Sequence, residues 1–282
     1  MNEKKLLDFF KQSPKYTLKC DNFFDIYDKL LKKFKYQNIT LVEVGIGNGG
    51  SLYMWKKYFN NQSRIIGIDM NPEAKKFEKE GFEIFIGDQS DPKFWHFFYD
   101  SVGKIDILID DGGHKNLQQI TTVSESIENI RDNGLIIIED TVTSYMKKKG
   151  FGNPSKYSFI NYCNEIIESI HRRNPFMKKE NNIFSKKVYS IEFFDSLVAI
   201  KISTDIPDKS KTISNKNDDS FFVDYRHEGY YVKSLNFFNF FFKNIYDFPI
   251  IKMIIRKIFH RNLFFYFHEK FQLFKFFKKI KK

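Results

Sequence analysis

Between Thr40 and about Ser203, short apolar runs alternate with longer amphipathic segments. The runs "TLVEVGIG", "RIIGIDM", "FEIFIGD", "IDILIDD" and "GLIIIED" predict strands. The intervening "SLYMWKKYF", "PEAKKFEKEG", "PKFWHFFYDSV" and "LQQITTVSESIENIRDN" predict helices, the last with Gly134 just beyond its end. Near-continuous apolar strands joined by helical crossovers imply a parallel sheet covered on both faces. "KVYSIEFFDSLVAIKIS" reads as two more strands meeting at "FFDS", an antiparallel hairpin at the sheet edge. The expected fold is α/β: a doubly wound, mostly parallel, seven-stranded Rossmann-like sheet. Residues 1–39 read as a helical cap over the site or an edge, 40–203 as the sheet domain, and 204–220 as a polar linker. Residues 221–282 read as a basic, aromatic, helical appendage.

Composition narrows the class. A chain of 282 residues with 42% hydrophobic and 29% charged residues suits one sizeable α/β domain plus an appendage. Cys20 and Cys163 lie far apart in segments that read as helical, which argues against a disulfide framework or a Cys-rich zinc site and suits a reducing cytoplasm. The apolar stretch of "MNEKKLLDFFKQS" is too short and interrupted for a secretory signal, and no uncharged run approaches the ~18 residues of a spanning helix. The net charge of +11 is uneven: residues 233–282 hold 12 Lys and Arg against Asp247 and Glu269, leaving the rest nearly neutral. In this tail Arg261, His268, Lys275 and Lys282 recur every seven residues among Phe and Ile. Such a helix suits an anionic membrane surface, and equally its own domain or a partner in a homo-oligomer. A nucleic-acid partner is not expected, because no recognition motif accompanies the charge.

"LVEVGIGNGGS" sets Gly45, Gly47, Gly49 and Gly50 between a strand and a helix, where the backbone turns sharply and a ligand can approach closely. Gly45-x-Gly47-x-x-Gly50 fits the dinucleotide fingerprint. Glu43-x-Gly45-x-Gly47-x-Gly49 fits the acid-led loop of class I S-adenosylmethionine methyltransferases. A pyrophosphate wants N–H donors and no carboxylate nearby, whereas S-adenosylmethionine brings an ammonium that Glu43 would suit. Asp69 ends the second strand, where ribose hydroxyls need an acceptor, and Asp88 ends the third, where an adenine amino group can be read. Ser51, Gln89 and Asp110 complete the candidate cofactor positions, Asp110 facing the cofactor or supporting the turn.

The chemistry concentrates in "DILIDDGGH" and "IIIED". Asp110 and Asp111 end the fourth strand and Glu139 and Asp140 the fifth, so all four share the rim where doubly wound sheets bind ligands. Clustered carboxylates repel unless protonated or bridged by a cation, and an all-oxygen set favours Mg²⁺ or Ca²⁺. Gly112 and Gly113 let the chain turn so that the His114 imidazole faces the same pocket as a general base. A sugar hydroxyl is a poor nucleophile, and coordination to a dication lowers its pKa.

"GNGGSLYMWKKYF", "IDDGGH", "GLIIIEDTVTSY" and "YSIEFFDSLVAI" together resemble the metal-dependent sugar O-methyltransferases of macrolide biosynthesis, of the mycinamicin type. They also resemble a wider bacterial set that includes cephalosporin hydroxylase-like proteins. The resemblance covers about residues 40–203. It implies S-adenosylmethionine as methyl donor, Mg²⁺ held by Asp111, Glu139 and Asp140, and His114 as base. Tyr145 of its TSY motif, and Tyr27, are candidate acceptor contacts. Two departures stand out. Gly113 replaces the serine of the family's DDGSH pattern, and "MKKKGFGNPSKYSF" follows TSY, where Lys147–Lys149 suit an anionic acceptor such as a nucleotide-linked sugar and equally a solvated charge run. The resulting expectation is a cytoplasmic sugar O-methyltransferase, peripheral to the membrane, serving surface-polysaccharide or glycoside biosynthesis. The competing readings are a nicotinamide-dependent oxidoreductase and a non-catalytic, membrane-associated binding protein.

Overall fold

The computed structural model describes residues 5–146, 156–174 and 182–207, with single positions at 177, 209, 211 and 213 and others between 270 and 280. The chain divides into two compact units, Met1–Thr212 and Ile213–Lys282. The described positions from Lys270 to Ile280 are helical. Lys147–Lys149, Arg261, His268, Lys275 and Lys282 lie outside the described residues. No helix among the described residues is long and apolar enough to cross a membrane.

The first unit opens with α1 (Leu6–Lys11) and α2 (Phe23–Leu31), then β1 (Thr40–Val44), α3 (Gly50–Tyr58) and β2 (Arg64–Asp69). A 3-10 helix (Pro72–Glu80), β3 (Glu83–Ile86), α4 (Pro92–Val102), β4 (Ile105–Asp110) and α5 (Asn116–Ser126) follow. The chain continues through β5 (Ile130–Ile138), a 3-10 turn (Thr141–Tyr145), α6 (Phe159–His171), α7 (Ile183–Lys187), β6 (Val188–Phe194) and β7 (Leu197–Ile202). The seven strands lie in the order β3-β2-β1-β4-β5-β7-β6. β1 to β5 are parallel, and β7 runs antiparallel between β5 and β6. The doubly wound sheet and its closing hairpin are those the strand pattern implies.

Strand alternation splits the core into two layers. Leu41, Ile107, Ile109, Leu135 and Ile137 face one side with Leu6, Phe24, Leu31 and Trp55. Val42, Ile66, Leu108, Ile136 and Ile138 face the other with Trp95, Phe98, Val123 and Phe159. The N-terminal helices are thus part of the first layer, because Phe23, Phe24, Tyr27, Leu30 and Leu31 form one apolar stripe on α2 that needs the sheet face.

Three local expectations change. The helix read through Asn133 stops at Ser126, and Ile130–Asn133 already belong to β5. Gly134 is therefore a strand residue; a Cβ there would stand 2.6 Å from the Asp106 carbonyl oxygen of the neighbouring strand. The "PEAKKFEKE" segment winds as a 3-10 helix, which sets Ala74 and Phe77 on one inward line. Cys20 lies in the non-helical stretch before α2, while Cys163 is buried in α6, and neither is paired.

Adjacent residues of α4 test the layer assignment. Phe98 is fully buried and Phe97 is 61% exposed. Phe98→Ala should cost about 3–5 kcal/mol in urea denaturation and Phe97→Ala less than about 1.

Candidate active site

The strand order reverses beside β1, with β2 on one flank and β4 on the other. Loops leaving the carboxyl ends of β1 and β4 therefore part and leave a crevice. A cavity of about 300 Å³ fills it, lined by Gly45, Gly47, Asp69, Asp88, Gln89 and Asp111 among others.

The glycine loop is shaped for that crevice. Gly45 has φ +83°, and a Cβ on it would stand 2.1 Å from the Asp111 carbonyl oxygen. No side chain fits there, so the β1 and β4 loops touch backbone to backbone. Asp69 holds the loop from beneath: Oδ2 accepts from Ile46 N and Gly47 N at 3.2 Å each, and Oδ1 from Asn71 N at 2.9 Å. Gly49 caps α3 against Phe77 and does not line the cavity.

Asp110 also lies off the cavity lining. It is buried, and both its oxygens accept from Gln89 Nε2 at 2.9 Å, with Gly112 N adding a third bond at 3.0 Å. Gln89 Oε1 accepts from Gly113 N at 2.9 Å, so the Gln89–Asp110 pair fastens the β3 loop to the β4 turn. Burial raises the Asp110 pKa against the pull of these bonds. A Cβ at Gly113 would stand 2.4 Å from Gln118 Oε1, so Gln118 takes the space that a side chain at this position would need.

Beyond the turn, His114 (φ +55°) and Asp140 (φ +51°) both adopt the left-handed region. Non-glycine residues there cost about 1–3 kcal/mol each and persist only where surroundings hold them. Thr143 Oγ1 supplies the hold, 2.7 Å from the His114 carbonyl oxygen and 2.9 Å from that of Asp140. His114 Nε2 consequently stands 3.6 Å from Asp140 Oδ2 and 4.0 Å from Asp111 Oδ1. Ligand atoms of Asp111, His114 and Asp140 all lie within 4.8 Å of one another, a spacing that can hold a metal ion. His114 Nδ1 is buried without a partner among the described residues.

Glu139 is not in that group. It is buried, and its carboxylate meets Lys19 Nζ at 2.7 Å and the Tyr27 hydroxyl. The same ammonium reaches Asp111 Oδ2 at 2.7 Å and Glu43 Oε1 at 3.2 Å, while Glu43 Oε2 accepts from Ser51 Oγ at 2.5 Å. Glu43 and Ser51 are thus closed on each other and on Lys19, and neither lines the cavity. Burial lowers the Lys19 pKa, but Glu139, Asp111 and Glu43 outweigh it and hold it well above the lysine range. Burial drives the Glu139 and Glu43 carboxyls up, with Lys19 opposing. Tyr27 is buried in the core with Phe23 and Trp55 against its ring, closed to an acceptor; Tyr145 is 58% exposed.

The architecture is the Rossmann-like class I methyltransferase fold. It is similar to the structure of the MycE methyltransferase of the mycinamycin pathway in complex with Mg, S-adenosylhomocysteine and mycinamycin VI. That likeness has a TM-score of 0.65 at 22% identity and covers 78% of this chain and 58% of that one. No family model matches. In sequence the chain resembles the sugar O-methyltransferases of macrolide and tetracenomycin glycosides. It is 33% identical over 158 residues to L-olivosyl-oleandolide 3-O-methyltransferase of Streptomyces antibioticus, 51% of this chain and 40% of that one. It is 33% identical over 133 residues to mycinamicin VI 2''-O-methyltransferase of Micromonospora griseorubida, 45% of this chain and 32% of that one. It is 29% identical over 153 residues to the rhamnosyl tetracenomycin-C 2'-O-methyltransferase of Streptomyces olivaceus, again 40% of the relative's length. The chain thus spans two fifths or less of each of these three curated relatives.

Cys20 reports on the acidic rim. Burial first, then the charges of Asp140, Glu139 and Asp111, raise its thiol pKa. A divalent cation at the rim removes part of that charge, lowers the pKa and increases the thiolate fraction. The Ellman reaction at pH 8 should therefore speed up on adding Mg²⁺, and not on adding NaCl of equal ionic strength. Cys163, its thiol pushed up to about 12 by burial, should stay unreactive until the protein unfolds.

Proposed function

We propose that the chain is an S-adenosylmethionine- and Mg²⁺-dependent O-methyltransferase acting on a sugar hydroxyl. The observation that carries the reading is the double position of Asp111, which lines the cavity and also belongs to the Asp111–His114–Asp140 group. A donor in the first and a hydroxyl at the second would meet at one carboxylate. The sugar-methylating relatives and the structural likeness to MycE support the same chemistry.

Both implied groups fit the residues present. Asp69, Asp88 and Asp111 are the charged residues of the described lining, which includes no Lys or Arg. That suits a cationic sulfonium and ammonium and repels a pyrophosphate, which disfavours the nicotinamide alternative. Glu43, closed by Lys19 and Ser51, does not line the cavity, which leaves the ammonium to the glycine loop and the other acids of the lining. For the metal, Mg²⁺ takes oxygen ligands and keeps several waters, so Asp111 and Asp140 suit it without His114. Imidazole ligation would instead favour a transition metal. With Mg²⁺, then, Nε2 of His114 stays available as a base.

S-Adenosylmethionine supplies the methyl group, and the dication makes a bound hydroxyl more acidic. His114 Nε2 takes the hydroxyl proton, and the positive φ of His114 aims the ring at the two carboxylates rather than at solvent. The glycine loop and the Asp69 brace fix the donor end, so positioning supplies much of the rate. Tyr145, at the end of the 3-10 turn that follows Asp140, is exposed and suits contact with the acceptor. A role in surface-polysaccharide or glycoside biosynthesis, at the cytoplasmic face of a membrane, is part of this proposal. It rests on the basic sequence of residues 233–282 and on Lys147–Lys149.

His114→Ala should lower methyl transfer about 10²- to 10⁴-fold. Its affinity for S-adenosylhomocysteine and for Mg²⁺ should stay near that of the parent. Mg²⁺ affinity falling in step with activity would make His114 a ligand and remove the base. Methyl transfer undiminished by EDTA would remove the metal.

A further inference from the structure

The Lys19 ammonium carries three hydrogens, and three carboxylates receive them: Glu43 at 3.2 Å, Asp111 and Glu139 at 2.7 Å. The Lys19 side chain is 1% exposed, so neither the ammonium nor the two buried glutamates would tolerate the site alone. Asp111 is shared: Oδ2 meets Lys19 while Oδ1 faces His114. The segment that brings Lys19 in is fastened to both ends of α3. Ser13 Oγ donates to the Gly50 carbonyl at 2.8 Å, and Lys57 Nζ to the Gln12 carbonyl at 3.2 Å. The Lys15 and Tyr16 backbone lies so close to Gly50 that a Cβ there would stand 2.5 Å from the Lys15 carbonyl oxygen.

Resting on the methyltransferase reading, we propose that Lys19 is a positioning residue of the metal centre. It is a resident cation that fills the Glu43–Asp111–Glu139 side of the rim, turns Oδ1 of Asp111 outward, and confines the divalent ion to Asp111 and Asp140 beside His114. Glu139, which the family resemblance assigns to the metal, is then the anchor of Lys19. The rim carries two kinds of cation on one shared aspartate, one covalently built in and one exchangeable. Repulsion between them keeps the exchangeable ion away from Glu139.

Mn²⁺ binding to the full chain, followed by the electron paramagnetic resonance of the free ion, tests this without reference to activity. The parent should bind one ion. Asp140→Asn, which removes a ligand, should weaken binding more than about 100-fold, whereas Glu139→Gln, whose partner is Lys19, should stay within the roughly 10- to 100-fold that loss of an outer-shell partner costs. Lys19→Met should bind a second ion in the vacated carboxylate cage, and Lys19→Arg should bind one. Glu139→Gln weakening Mn²⁺ as much as Asp140→Asn overturns the proposal, and so does a folded Lys19→Met protein that takes a single ion. If Lys19→Met does not fold, the comparison of the two acid variants still decides. A parent that binds no Mn²⁺ removes the metal reading of the site, and the proposal with it, an outcome distinct from the other failures.

Discussion

β1 is flanked by β2 on one side and β4 on the other, and the site depends on that reversal. In a parallel sheet every strand ends at the same rim, and helices must leave it for one face or the other. Where the direction of winding reverses, two neighbouring loops depart to opposite faces and a gap opens between them. Here the gap lies between the Gly45 loop and the Asp110–His114 turn. Backbone contact at Gly45 and Asp111 closes its floor. The cavity, the acidic group and the imidazole all hang from these two strand ends, and β5 adds Glu139 and Asp140 from the next position along the rim.

That placement concentrates negative charge where water is scarce. Asp110 is satisfied by neutral donors, Gln89 Nε2 and Gly112 N, and becomes part of the frame. Glu43 and Glu139 are satisfied by an ammonium brought from outside the sheet. Asp111 and Asp140 remain partly exposed next to His114, and they are the pair open to an exchangeable cation. The rim thus sorts its acids by what neutralises each one, and chemistry is left to those that the protein does not fully neutralise itself. His114 and Asp140, both in the left-handed region, are held by Thr143, so local backbone cost is spent at the residues whose aim matters.

Much of this was legible in the chain. Continuous apolar runs ending in acids foretold a parallel sheet with a carboxylate rim, and "FFDS" foretold the closing hairpin, because burial on both faces leaves few alternatives. The glycine spacing located the cavity, and Asp69, Asp88, Gln89 and Asp111 line it. What was not legible depends on contacts between distant segments. Lys19 sits in "YTLKCDN", with no periodicity and no motif, yet its ammonium meets a carboxylate 120 positions away. The one available signal was electrostatic: four acids at one rim demand more positive charge than one histidine offers. Tyr27 was a candidate acceptor contact, but the α2 stripe turns it inward onto Glu139. The end of α5 was misplaced because Gly134 resembles a helix stop, when its lack of a side chain serves strand contact.

The central claim is that the cavity between β1 and β4 takes S-adenosylmethionine. Titration calorimetry of the full chain with S-adenosylhomocysteine, and separately with NADH, tests it most directly. The account predicts one saturable site for S-adenosylhomocysteine, weakened by Asp69→Ala, and no heat with NADH. A chain that binds NADH and ignores S-adenosylhomocysteine would contradict it.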